Sequence, residues 1–278
     1  MHFGIEVVPF GAHADPRAIA RFAQAAEAAG WEGLWLWDHV MFPWGAGDPW
    51  VMLAAAASVT KRLKLITGVA PMPRYRPHLL ARTLAGLDLL SEGRVIFGTG
   101  LGEKFDFEPW GEWRDHETRA AMADEGLDLL ARLMAGETVT HHGPFYTAEA
   151  ARITPTPVQR PRVPIWIGGE SPAALRRAAR WDGWIMGTID EQQNVTHPPD
   201  WIAERVAIIR QHRIGDGPFE VAVDGITRDR RDGARVGEYA AAGATWWCEA
   251  IYGTRAPDED LFARIAAGPP LISGPVTR

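Results

Sequence analysis

Cysteine is almost missing from this chain. Cys248 stands alone among 278 residues, which excludes an internal disulfide and any zinc site built on several cysteines. Long apolar runs are missing too: no stretch approaches the roughly 18 consecutive apolar residues of a membrane-crossing helix. The opening MHFGIEVVPFG has no basic segment followed by such a run, so a cytoplasmic protein is expected. Positive charge is in deficit, 29 Lys and Arg against 35 Asp and Glu for a net charge of −6. With no run of like charge to offset it, neither a nucleic acid nor a membrane surface is an expected partner.

Several catalytic signatures are also absent. There is no Gly-Lys-Ser/Thr ending of a triphosphate loop and no G-x-G-x-x-G dinucleotide turn. No G-x-S-x-G elbow or H-E-x-x-H pair occurs, which weakens hydrolase and metalloprotease readings. His141 and His142 are neighbours on an extended segment and diverge, so no metal site is expected there.

What is present is alternation. Apolar, β-rich runs at 2–8, 33–39, 63–69, 94–100, 163–169, 183–187, 219–225 and 245–251 read as strands. Helical patterns follow them at 15–30, 49–60, 77–93, 114–136, 171–181, near 199–213, near 230–242 and at 258–268. Asp15 and Ser171 are N-cap residues with Pro16 and Pro172 in the first helical position, and Gly30 is a stop. A short β-excursion at 137–150 turns at Gly143-Pro144. Eight strand–helix pairs without a linker predict an α/β fold, a single (β/α)8 TIM-like barrel over 1–268, with an irregular tail at 269–278. A doubly wound open sheet is the alternative. Most of the 13 tryptophans are expected as large fillers of a big core.

A barrel restricts the search for chemistry to the C-terminal ends of its strands. There the second strand carries Asp38-His39, a pair able to move a proton near neutral pH, although adjacent strand residues need not bond each other. The third ends at Gly68-Val69 before a proline-rich loop. The fourth ends in Gly100-Leu101-Gly102 and the fifth in Gly168-Gly169-Glu170-Ser171, where a Gly-Gly turn and a well-capped helix start expose N–H groups to an anion. Glu249, on the eighth, reads either as a substrate-facing carboxylate or as part of a buried ion pair, the second being the preferred expectation.

Three segments carry a wider resemblance: GLWLWDHV (33–40), TGVAPMPRYRPHLLARTLAGLDLLSEGRVIFGTGLG (67–102) and PTPVQRPRVPIWIGGESPAALRRAARWDGW (155–184). In this order and spacing the chain resembles the luciferase-like flavin-dependent oxidoreductases, which include bacterial luciferase and the deazaflavin (coenzyme F420) reductases. The resemblance implies a barrel holding FMN or, alternatively, F420, with His39 as the catalytic histidine and Asp38 beside the ring. It implies a non-prolyl cis peptide at Gly68-Val69. Gly100, Leu101 and Gly102 would line the ring edge or sugar chain, and Gly168, Gly169, Glu170 and Ser171 would hold the phosphate. The chain is short for this family, and Glu103-Lys104 stands where many FMN-binding members carry an aromatic residue.

The leading expectation is a monooxygenase using reduced FMN and O2 on a small apolar organic substrate, supplied by a separate flavin reductase. F420-dependent hydride transfer is the first alternative, and a non-catalytic flavin-binding barrel the alternative of another class. A lyase or isomerase that grips a substrate phosphate is a further one. Trp37, Trp44, Trp110 and Trp113 are expected to form an apolar substrate rim, and a homodimer through the second and third helices is what the family implies.

Overall fold

Eight strands that are apolar along their whole length cannot rest one face on water, so they must be covered on both sides. They close on themselves. In the computed structural model, which describes residues 1–272 except 191, 253 and 254, β1 (His2–Val7), β2 (Gly33–Leu36) and β3 (Lys64–Thr67) begin the barrel. The two-residue β4 (Ala70–Pro71) extends this edge, and β5 (Val95–Gly100) follows. A two-stranded excursion, β6 (Val139–His142) and β7 (Thr147–Ala151), precedes β8 (Ile165–Gly168), β9 (Gly183–Met186), β10 (Glu220–Gly225) and β11 (Trp246–Ile251). All barrel pairings are parallel. The ring runs β1-β2-β3-β5-β8-β9-β10-β11 and shuts where His2–Val7 pair Trp246–Ile251.

Helices α1 (Pro16–Ala28), α2 (Pro49–Val59), α3 (Pro77–Leu90), α4 (His116–Met134), α5 (Pro172–Ala178), α6 (Pro199–His212), α7 (Ala234–Ala241) and α8 (Asp258–Ala266) cover the outside. Their starts follow capping chemistry. Asp15, Asp48, Asp115 and Ser171 accept backbone N–H bonds in the first turns of α1, α2, α4 and α5, and Pro opens three of these four. The seventh helix starts later than its pattern indicates, at Ala234 rather than near 230, because the preceding residues form a turn in which Asp229 accepts from the N–H groups of Arg231 and Asp232. The excursion turns at Gly143, whose N–H reaches Tyr146 O at 3.0 Å.

The core has two shells. Ile5, Val7, Leu34, Leu36, Leu65 and Phe97 lie between strands and helices, while Trp35, Ile66, Ile96, Trp166, Ile185, Trp246 and Cys248 fill the barrel interior. Tryptophans 31, 35, 166, 181, 184, 246 and 247 are all buried, as core fillers should be. Glu249 does form a buried ion pair, with Arg255 at 2.8 Å and Arg264 at 3.3 Å, and accepts from both the N–H and hydroxyl of Thr227. Of the tail, Leu271 N–H donates to Arg230 O at 2.8 Å and Ile272 packs on the core; 273–278 lie outside the described residues. Among the described residues no helix is long and apolar enough to cross a membrane.

Candidate functional site

At the C-terminal ends of the strands lies a cavity of about 590 Å3. Every residue named above for the cofactor lines it: Asp38, His39, Gly68, Val69, Gly100, Leu101, Gly102, Gly168, Gly169, Glu170 and Ser171. Four loops from different strands therefore converge on one space. Val69 lies on its floor, and the glycines on either side leave room for that side chain. A Cβ on Gly100 or Gly168 would come within 3.0 and 2.9 Å of the two methyl groups of Val69, which sits between them. The Gly68–Val69 peptide is cis, at the position the resemblance implied.

His39 leaves the strand region and turns away from Asp38. Its Nδ1 lies 2.6 Å from Asp106 Oδ2, so the carboxylate makes Nδ1 the protonated nitrogen. Asp106 is itself held: its other oxygen accepts from the N–H groups of Val40 (2.8 Å) and Met41 (3.3 Å), and Arg74 approaches at 3.2 Å. Burial pushes the Asp106 carboxyl up, but the His39 bond and these backbone donors outweigh it and hold it below its ordinary value. The imidazole is boxed by Phe10, Phe42 and the stacked Phe105 at 5.1–5.9 Å between ring centres. Among the described residues Nε2 has no protein partner, so a fixed, accepting nitrogen is offered to the cavity.

Asp38 serves a different purpose. It pairs with Arg74 at 2.9 Å and accepts from the Tyr75 hydroxyl at 2.6 Å. Burial still raises its carboxyl above the ordinary value against those partners. Arg74 thus ties Asp38 to Asp106, and the two carboxyls never meet.

At the far end Arg119 lines the cavity, stacked 4.1 Å from the Trp113 ring centre. It is only 7% exposed, and its hydrogen-bond partners are the carbonyls of Leu101, Gly102 and Arg114. Among the described residues it makes no ion pair with a carboxylate. A guanidinium that bonds only carbonyls keeps its charge available to an anion in the cavity, with Glu103 and Asp115 as the nearest acidic groups acting on it. Ser171 Oγ accepts from Ala174 N–H, and Glu170 reaches His197 at 3.2 Å, so both have protein partners already.

The expected tryptophan rim divides. Trp37 lines this cavity and a neighbouring one, Trp44 lines only the neighbour, Trp113 lies on the cofactor side, and Trp110 lines neither and is exposed. Sequence reasoning did not pick out Asp106, Arg74, Tyr75 or Arg119. Asp106 lies in a short 3₁₀ turn, Lys104–Asp106, where no periodicity marks it as buried.

Comparison with known proteins identifies the family and the fold. An uncharacterised Mycobacterium tuberculosis protein is 32% identical over 237 residues, covering 74% of this chain and 77% of its own length. An F420-dependent glucose-6-phosphate dehydrogenase of Nakamurella multipartita is 36% identical over 180 residues, 61% of this chain; the match spans about half (52%) of that relative. Among solved structures, the F420-dependent tetrahydromethanopterin reductase of Methanopyrus kandleri superposes with a TM-score of 0.76 at 19% identity. That match covers 96% of this chain and 97% of the reductase, and it shows a shared fold. The family model described as luciferase-like monooxygenase matches residues 1–249, and the chain belongs to that family of oxidoreductases.

Proposed function

We propose that this protein is an F420-dependent oxidoreductase that interconverts a small, largely apolar alcohol and its carbonyl compound. One observation carries the reading: His39, fixed through Nδ1 by Asp106, offers Nε2 to a cavity whose other end holds the unpaired Arg119. The cavity fits the group. A flat tricycle needs a low, even floor, which the Val69 side chain between Gly100 and Gly168 supplies, and the acidic tail of F420 needs a cation such as Arg119. The curated relatives whose names specify F420 favour this cofactor over FMN. Under this reading no flavin reductase is required.

When bound, F420 supplies a two-electron hydride acceptor or donor. His39 Nε2 takes the hydroxyl proton as the hydride leaves the carbinol carbon, giving the carbonyl compound and a protonated imidazole. The Asp106 carboxylate stabilises that positive charge without taking the proton. In the reverse direction the same nitrogen returns it. Phe10, Phe42 and Phe105 keep water from the imidazole. Val51, Val59, Leu79, Leu89 and Leu90 are exposed along α2 and α3, and a homodimer through these helices is part of the proposal.

Spectral titration with F420 and FMN, each oxidised and reduced, tests the reading, with oxygen uptake followed in parallel. Saturable F420 binding without oxygen uptake is expected, from a sample that light scattering shows as a dimer. FMN binding with oxygen uptake and no F420 binding would overturn it.

A further inference from the structure

Beside the cofactor cavity is a second one of about 560 Å3, and the two meet at Trp37. Its walls are apolar: Val8, Phe10, Phe42, Trp44 and Ile189. Phe10 and Phe42 also pack on the His39 ring, so two walls of this cavity are shared with the box around the imidazole. Its described lining holds no Lys, Arg or His; the titratable groups are Asp190, Asp224 and Tyr252.

Behind Asp224 stands Glu6, 1% exposed inside the barrel. One Glu6 oxygen accepts from the Trp37 indole N–H; the other is buried with no donor among the described residues. Asp224 accepts from the Thr188 N–H. Two carboxyls side by side out of water cannot both ionise, so the pair keeps one proton between them. Burial and mutual repulsion raise Glu6 well above the ordinary carboxyl value, and burial likewise raises Asp224. Tyr252 is 8% exposed, its hydroxyl has no partner among the described residues, and burial with the two carboxyls nearby keeps it a neutral donor.

We propose that this cavity is the chamber for a neutral alcohol or its ketone, whose oxygen sits between the Tyr252 hydroxyl and the Glu6–Asp224 pair, and that it rejects phosphorylated or carboxylated molecules. The inference rests on the oxidoreductase reading above and narrows its substrate class. The substrate oxygen accepts from the Tyr252 hydroxyl and from the proton held by the carboxyl pair, as a ketone oxygen also can, which leaves an alcohol's own hydroxyl proton for His39 Nε2. A phosphate ester would meet Asp190 and the negative carboxyl pair with no cation to offset its desolvation. The chamber therefore departs from the sugar phosphate that the names of some relatives specify.

Calorimetric titration of the whole protein, with and without F420, compares cyclohexanol with cyclohexyl phosphate, which share a skeleton and differ in charge. Cyclohexanol is expected to bind at least about tenfold more tightly. Asp224→Ala and Tyr252→Phe should each weaken cyclohexanol by about tenfold while leaving F420 affinity within about twofold. Equal or tighter binding of the phosphate ester, or cyclohexanol affinity unchanged in both variants, overturns the chamber. Alcohol selectivity retained without F420 binding would sink the cofactor reading and support the chamber, so the two failures are distinguishable.

Discussion

Around the mouth of the barrel, β3, β5 and β8 run out in glycine, whereas β1 and β10 carry Glu6 and Asp224. Both halves are built from the same parallel strands, yet they solve opposite problems. The glycine half clears side chains from around Val69 so that the floor stays low, which suits a large, flat and anionic ligand that brings its own polar groups. The carboxyl half keeps two polar groups inside an apolar wall, which is costly unless they share a proton or meet a partner. A site of the first kind recognises shape. One of the second kind recognises a single hydrogen-bonding atom and the absence of charge.

The largest effect should come where the halves meet. His39→Asn removes the proton acceptor, and turnover should fall by about 10²–10⁴-fold in steady-state kinetics while F420 affinity changes little. Turnover unchanged in this variant would remove His39 from the chemistry and leave the comparison between halves without its centre. Next, Gly168→Leu fills the glycine half, where even a Cβ comes within 2.9 Å of Val69. F420 affinity should fall by about a hundredfold, corresponding to about 2.7 kcal/mol, with cyclohexanol binding preserved. Loss of both together would mean that the two halves are one site.

The smallest effect is in stability, and its sign differs between the halves. Asp106 titrates below the ordinary range in the folded protein, so its contribution is present above a pH of about 4 and is lost as pH falls through the folded value. Glu6 and Asp224 titrate above it. Their contribution is whole below about pH 4 and is lost as pH rises through the raised folded values. The pair faces Trp37, Thr188, Tyr252 and the buried Cys248, none of which supplies a positive charge. Glu6→Gln offers Asp224 an amide N–H in place of the shared proton. Thermal melts from pH 4 to 9 should show the variant gaining on the parent as pH rises, by about 1 kcal/mol at the alkaline end. A gap that shrinks with rising pH would contradict the shared proton.

Much of the fold was legible because parallel-barrel strands are continuously apolar and helix starts carry chemical punctuation, as at Asp15-Pro16 and Ser171-Pro172. His39 was legible as a histidine at a barrel strand's end, and the loop residues of the cofactor cavity as glycine turns. The partner of His39 was not. Asp106 is 67 residues away, in a turn with no pattern of its own, and its importance arises from the backbone N–H groups of Val40 and Met41 pointing at it. Glu6 did leave a signal: a carboxyl in an otherwise apolar strand, two residues from Gly4 and so on the same face. Tyr252 and Asp224 only acquire meaning once β10 and β11 bring them beside it.

Arg74 has a mechanical consequence. It stands at the end of the 3₁₀ turn Met72–Arg74 and grips a carboxylate in each of two other loops, Asp38 after β2 and Asp106 after β5. Parting a buried guanidinium from either costs about 3–5 kcal/mol, so those three loops move as one piece or not at all. That side of the mouth is a door frame. The opposite side is joined by single ties instead: after β9, Thr188 donates its N–H and hydroxyl to Asp224 on β10, and His197 lies 3.2 Å from Glu170 after β8.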